Sequence, residues 1–385
     1  MRITLIGCGD VGYAFAYALA EERTDVELRV VDESYPRAVK CSSLPLPSTE
    51  FIVVNLSQEA DIARVLKGSD IIVNTVSQSF ISKVLKLATQ MCIDVISAAP
   101  IPESALALDN QFRACKSVLI PDTGFVPGLS NLIVGRILAI HDAIDEIGIY
   151  AGVLPLSDRD SLSQIFIQSP SNIVEEYSSQ VRIIEDGNVK SVDPLAVTDI
   201  IDIPGVGRFE ATYGEGLGTL LYTLRGKVKR AFKKTIWYAG HVEALKVLRE
   251  LGLFSAKPLD INGAKVSPRD FLLRLLKLRE RRDVPDMTVL YIRAIGSIDK
   301  RRRVIQYLIQ SVYDSQRKLS ARSKIAGFTA YAILRLKISD RLRDFVGVVP
   351  PEVIGMRESL FTEVISWLVL KGVYLDVKGE FLNHR

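Results

Sequence analysis

A short apolar run, Ile3 to Ile6, passes directly into Gly7-Cys8-Gly9-Asp10-Val11-Gly12, and the residues from Tyr13 to Glu22 then repeat with a helical period. The order strand, Gly-x-Gly-x-x-Gly, helix leaves the chain few folds to choose from. Gly7 permits the tight turn, Gly9 lets a pyrophosphate approach the backbone, and Gly12 lets helix and strand pack closely. The helix start at Asp10-Val11 offers free N–H groups to phosphate. A second strand pattern, Glu27 to Val31, ends at Asp32, twenty residues past Gly12, where an acid accepts hydrogen bonds from ribose hydroxyls. These features in register predict a dinucleotide-binding fold. Because a carboxylate repels a 2′-phosphate, Asp32 favours NAD over NADP, although Arg37 and Lys40 lie close by.

The alternation continues with strand patterns at Phe51 to Val54, Asp70 to Asn74, Asp94 to Ser97 and Ser117 to Ile120. Helical patterns at Glu59 to Leu66, Phe80 to Met91 and Glu103 to Ala114 separate them. Such punctuation builds an α/β fold, a Rossmann doubly wound parallel sheet whose ligands bind at the carboxyl ends of the strands. Asn55, Asn74, Ser77 and Ser97 stand at those ends. Asn55, Asn74 and Ser77 are cofactor-binding candidates, the last two beside the nicotinamide half; polar residues in such places also form turns and caps.

The chain has 385 residues, enough for two or three domains with cores of their own. With 48% hydrophobic residues, 24% charged residues and a net charge of +4, disorder is excluded. The basic runs Arg225 to Lys234 and Lys300 to Arg303 read as solvated faces, since no aromatic platform accompanies them, and no nucleic-acid partner is expected. Cys8, Cys41, Cys92 and Cys115 include no Cys-x-x-Cys, and His141, His241 and His384 make no His-x-x-x-His pair, so no metal site is expected. The cysteines read as free thiols in a reducing compartment, which points to the cytoplasm. Every apolar run is broken by charge before the ~18 residues that would span a bilayer. Arg2 and the stretch ending Ala18-Leu19-Ala20 imitate a secretory signal, but a cleaved peptide has no use for the glycine spacing inside it.

Beyond Ile120 the turn-rich Asp122-Thr123-Gly124-Phe125-Val126-Pro127-Gly128-Leu129-Ser130-Asn131 leads into an apolar helix ending near Ile140. Strands follow, such as Glu146 to Ala151, with a hairpin turn at Gly205-Val206-Gly207. Asp270 to Arg282 and Arg301 to Arg317 read as helices of alternating charge.

Four blocks then resemble one family: Gly7-x-Gly9-x-x-Gly12, Asp122 to Asn131, Phe209-Glu210-Ala211-Thr212-Tyr213-Gly214-Glu215-Gly216-Leu217, and Lys234-Thr235-Ile236-Trp237-Tyr238-Ala239-Gly240-His241. They look like the saccharopine dehydrogenase (reductase-type) family, most like its lysine 6-dehydrogenase branch, and Gly347-Val348-Val349-Pro350-Pro351-Glu352 is similar too. That branch usually carries Arg-Tyr-Pro-Gly-His where Trp237-Tyr238-Ala239-Gly240-His241 stands here. The resemblance implies a Rossmann NAD-binding domain over residues 1–123 and an α/β catalytic and dimerisation domain over 124–325. It implies C-terminal helices over 326–385 that return toward the Rossmann domain, and a homodimer.

It also implies an NAD-linked reaction at an amine-bearing carbon of an amino acid. Oxidative deamination of the lysine ε-amine is the first reading; a saccharopine-type reaction on a secondary amine and a non-catalytic NAD-binding role are the alternatives. His241, of a residue type whose unperturbed pKa lies near neutrality, is the candidate base, with helix capping as its structural alternative. Tyr238 would orient substrate or water, and Asp122 would pair with a substrate ammonium or orient His241. Tyr213 and Thr219, in or beside the matched blocks, would line the substrate pocket.

Overall fold

The expected alternation folds as a parallel sheet. Its strands are β1 (Arg2–Ile6), β2 (Glu27–Asp32), β3 (Thr49–Val53), β4 (Ile71–Asn74), β5 (Asp94–Ser97) and β6 (Val118–Ile120). The computed structural model describes residues 1–22, 25–46, 49–76, 78–157, 163–167, 170–281 and 284–381, so Ser77 and His384 lie outside the described residues. Among those residues the sheet has seven strands in the order Gly347–Val348, β6, β5, β4, β1, β2, β3. The chain therefore reverses direction across the sheet between β1 and β4, and the glycine-rich loop leaves β1 at that switch point. Both faces are covered, which is why β1 and β4 are mainly apolar without a polar alternation: Ile3, Leu5, Ile6, Ile72 and Val73 are fully buried.

Two compact units share the chain. The first comprises Met1–Ile140, Gly218–Leu220 and Asp314–Val373; the second comprises His141–Leu217, Leu221–Tyr313 and Tyr374–Arg385. The first unit runs past residue 123 because helix Leu129–Ile140 closes against helix Pro351–Gly355, where Gly135 meets the backbone of Glu352 and Gly355 that of Leu132. Helix Ala321–Ile338 likewise lies on α1 (Asp10–Glu22), with Gly327 against the Val11 carbonyl and the Phe15 amide. Helices Ala321–Ile338 and Pro351–Gly355 thus belong to the first unit, while Tyr374–Phe381, expected among the C-terminal helices, is a strand of the second.

The second unit is built on a mixed sheet of nine strands among the described residues. Its path runs Thr198–Ile203, Gly207–Tyr213, Val228–Trp237, Ala143–Pro155, Asp286–Ile298, Arg301–Val312 and Tyr374–Phe381. The hairpin at Gly205 to Gly207 forms as expected between the first two of these strands. Residues 301–317, expected as a helix, instead begin with the strand Arg301–Val312, paired antiparallel to Asp286–Ile298. Asp299 and Lys300 make the turn with φ of 50° and 61°, a two-residue connection suited to strand twist. The arginines that suggested a charged helix face stand at the exposed start of the strand, and Val304, Ile305, Tyr307 and Ile309 supply the β-branched and aromatic content.

The cysteines are the other correction. Cys8 pairs with Cys41, and Cys92 with Cys115, as disulfides. The absence of Cys-x-x-Cys excluded only local pairing, while the fold brings together residues 33 and 23 apart. Free thiols, and the reducing compartment inferred from them, lose their basis. The basic runs are met by acids of strand Ala143–Pro155: Lys229 lies 2.6 Å and Arg302 3.6 Å from Asp145, and Arg230 lies 3.2 Å from Glu146. No helix among the described residues is long and apolar enough to cross a membrane.

Candidate functional site

The glycine-rich loop has the form a dinucleotide needs. A side chain at Gly12 would run into the Gly7 carbonyl, whereas one at Gly9 would meet no atom within 4 Å. The space above Gly9 is open, so the backbone there can be approached closely. Asp10 and Val11 open α1, whose first turn presents N–H groups with no partner inside the helix. Asp32, buried at the end of β2, accepts the Cys8 N–H at 2.7 Å through Oδ2 and the Ser34 N–H at 2.8 Å through Oδ1. Each carboxylate oxygen keeps a second lone pair for a ribose hydroxyl. Asp32 thus supports the loop and fits the expected ribose contact.

Asn74, Ser97 and Thr123 meet at the carboxyl ends of β4, β5 and β6. Asn74 Nδ2 donates to Ser97 Oγ at 3.0 Å, and the Thr123 N–H donates to the Ser97 carbonyl at 2.7 Å. Asn74 Oδ1 and Thr123 Oγ1 are buried without a hydrogen-bond partner among the described residues. Unmet buried polar atoms are uncommon and costly, and these two fit a polar group such as a nicotinamide carboxamide. Asn55 is placed differently: it is exposed, and its Oδ1 accepts the Ser57 N–H at 2.9 Å, closing a turn.

Asp122 follows β6 in the left-handed region, with φ of 51°. Its side chain is buried and accepts the Ile101 N–H at 3.3 Å and the Thr219 N–H at 3.2 Å. Burial pushes the Asp122 carboxyl up to about 6, and the two N–H bonds pull the other way. Thr219 arrives through the excursion Gly218–Leu220, and Gly218, at φ of 52°, has Asp122 and Pro127 packed where a side chain would begin. The Thr219 hydroxyl donates to Glu352 Oε2 at 2.9 Å and accepts from Asn131 Nδ2 at 3.1 Å. Asn131 is itself oriented by the Ser130 hydroxyl, 2.9 Å from its Oδ1. Asp122, Thr219, Asn131 and Glu352 thus form one buried polar cluster in the first unit.

His241, Tyr238 and Tyr213 belong to the second unit. His241 is the first residue of helix His241–Glu250, whose N-cap is Gly240 with no side-chain cap bond, so the histidine does not cap it; its fully buried ring stacks on Trp237 with centroids 3.9 Å apart. The Tyr238 hydroxyl donates to the Pro155 carbonyl at 2.9 Å. The Tyr213 hydroxyl receives Arg230 Nη2 at 2.9 Å, and Lys234 sits 4.3 Å over its ring.

Two family models match the chain: the saccharopine dehydrogenase NADP binding domain over residues 3–119, and the saccharopine dehydrogenase C-terminal domain over residues 124–373. The chain belongs to the saccharopine dehydrogenase family. It is therefore an NAD(P)-dependent oxidoreductase by family, as the resemblance of its sequence blocks implied. Its fold is similar to that of saccharopine dehydrogenase (L-Glu forming) from Saccharomyces cerevisiae, with a TM-score of 0.80 and 17% identity, covering 98% of this chain and 99% of that one. It is also similar to homospermidine synthase from Legionella pneumophila, with a TM-score of 0.65 and 12% identity, covering 99% and 91% of the two chains. Within this family member, sequence reasoning gave no role to Thr123, Asn131 or Glu352. Glu352 had one signal: a lone acid in the otherwise apolar Val348-Val349-Pro350-Pro351-Glu352-Val353-Ile354.

Proposed function

We propose that this protein is an NAD-linked dehydrogenase acting on the CH–NH group of an amino acid, with the ε-amine of lysine as the first substrate to test. The observation that carries the reading is Asp122: a buried carboxylate held near neutrality at the carboxyl edge of the nucleotide sheet. Amine oxidation needs a base that takes the ammonium proton at working pH, and a carboxyl at about 6 is suited to that task. Bound NAD supplies the hydride acceptor. Asp122 receives the proton from nitrogen, the carbon gives up hydride, and water then hydrolyses the iminium to aldehyde and ammonium. Asn74 and Thr123 offer the polar contacts that hold the nicotinamide ring, and Asp32 supports the choice of NAD. His241 then serves the second unit by packing, and Tyr213 and Tyr238 by their bonds to Arg230 and Pro155. A homodimer is part of the same reading, and light scattering on the purified protein tests it.

The deciding experiment is NADH formation with L-lysine, with saccharopine, other amino acids and NADP as controls. Turnover of lysine with NAD that is lost in Asp122→Asn supports the reading. Dinucleotide binding without turnover of any amine overturns it.

A further inference from the structure

Glu352 is fully buried, 133 residues from the threonine hydroxyl it accepts, and sits on a short helix that begins with Pro351. A carboxyl group so placed has lost its water, and burying it is costly unless its bonds serve the fold or the site. Its bond to Thr219 has a direction. Asn131 Nδ2 donates to Thr219 Oγ1, which leaves the hydroxyl proton for Glu352 Oε2. With its hydroxyl held at both lone pair and proton, Thr219 cannot rotate freely, and its peptide N–H is aimed at Asp122 Oδ2.

We propose that Glu352 is a positioning residue for Asp122, acting through Thr219: it holds the N–H that orients the carboxylate and favours its ionised form. The proposal rests on the reading of Asp122 as the base. Three observations meet in it. Gly218 has no side chain where Asp122 packs, so the Thr219 peptide reaches the carboxylate. Glu352 is brought to Thr219 by the close approach of helix Pro351–Gly355 to helix Leu129–Ile140 at Gly135 and Gly355. Asn131, on that second helix, completes the grip.

The consequence is specific. Losing the grip of Glu352 on Thr219 weakens an N–H bond that favours the carboxylate and moves the Asp122 titration to higher pH, while removing the carboxyl charge of Glu352 itself acts in the opposite direction. The test uses the full-length protein with 13C-carboxyl-labelled aspartate, the Asp122 signal being assigned by its loss in Asp122→Asn. Glu352→Ala and Glu352→Gln remove the same charge, and only the second keeps an acceptor oxygen for the hydroxyl. The Asp122 midpoint is expected to lie about half a unit higher in Glu352→Ala than in Glu352→Gln, and about half a unit above wild type in Thr219→Val. Where an amine substrate turns over, kcat/KM of Glu352→Ala should fall below that of Glu352→Gln under pH 7 and meet it toward pH 9, with KM for NAD unchanged.

Equal Asp122 midpoints in folded Glu352→Ala and Glu352→Gln, or an unmoved midpoint in Thr219→Val, overturn the proposal. If Glu352→Ala does not fold, Thr219→Val decides alone, because it removes only the hydroxyl. Full activity in Asp122→Asn would instead overturn the base assignment, while the carboxyl titration would still report on Glu352.

Discussion

The imidazole of His241 lies within 6° of parallel to the Trp237 indole, with Tyr177 6.5 Å away on a tilted plane. Stacking of this kind fills core volume with an aromatic ring. His241→Phe, which keeps a stacked ring, should therefore keep turnover within a few-fold of wild type. His241→Ala should cost roughly 3 kcal/mol in urea unfolding. A hundredfold loss of turnover in a stably folded His241→Phe would return the base role to this residue.

The two glycines of the nucleotide loop should separate folding from binding. Gly9→Ala places its methyl in open space and should unfold at the wild-type temperature while binding NAD at least tenfold more weakly. Gly12→Ala drives a methyl into the Gly7 carbonyl and should lose about 1–3 kcal/mol of stability along with binding. Thermal melts and NADH fluorescence titrations of the pair measure both effects.

Asp32→Ser removes the carboxylate that accepts the Cys8 N–H and that, on the proposed reading, would bind the ribose. A charge-assisted hydrogen bond is worth about 1.5–3 kcal/mol, so NAD should bind roughly ten- to a hundredfold more weakly. NADP should gain relative to NAD, because the repulsion of its 2′-phosphate is gone. Calorimetric Kd values for both dinucleotides check the ratio, and an unchanged ratio would remove Asp32 as the selector.

Asp122 also makes stability depend on pH. Its folded carboxyl titrates at about 6, above the ordinary value of 3.8, so the folded state binds the proton more tightly than the unfolded chain does. The stability this contributes is fully present below pH 3.8 and is lost as pH rises through about 6. Relative to wild type, Asp122→Asn should therefore gain stability between pH 4 and pH 7, by about 3 kcal/mol at most. Parallel melts of the two proteins across that range test the slope, whatever the constant offset from the amide.

Cys41→Ser should destabilise the first unit by about 2–4 kcal/mol, as expected for opening a loop of this length. Cys92→Ser opens a separate loop, and its loss should add independently. Wild-type protein unfolded with and without reductant should show the combined loss, and equal midpoints under both conditions would count against the pairing.

Much of the first unit was legible because its signals are local. β1, the glycines, α1, β2 and Asp32 follow one another within 32 residues, and each is recognisable by spacing alone. The Asp122 cluster was not, because Thr219 and Glu352 are brought in from 97 residues after Asp122 and a further 133 residues on. A pattern read along the chain names these residues as parts of blocks and cannot say which of them touch. Strand Arg301–Val312 was misread for a related reason: its charges are local, while the partner strand that decides its conformation is set by a turn of two residues with positive φ. The cysteine pairs likewise depend on the fold that joins them.

The Cys8–Cys41 bridge bears on more than stability. It ties the middle of the glycine-rich loop to helix Tyr35–Ser42, and Cys8 also gives its N–H to Asp32. The loop that receives a dinucleotide is therefore held at its second residue before any ligand arrives. Ordering a flexible loop on binding costs free energy that subtracts from affinity. A loop ordered in advance avoids that cost, so the covalent bond acts on the binding constant for the cofactor without touching the cofactor.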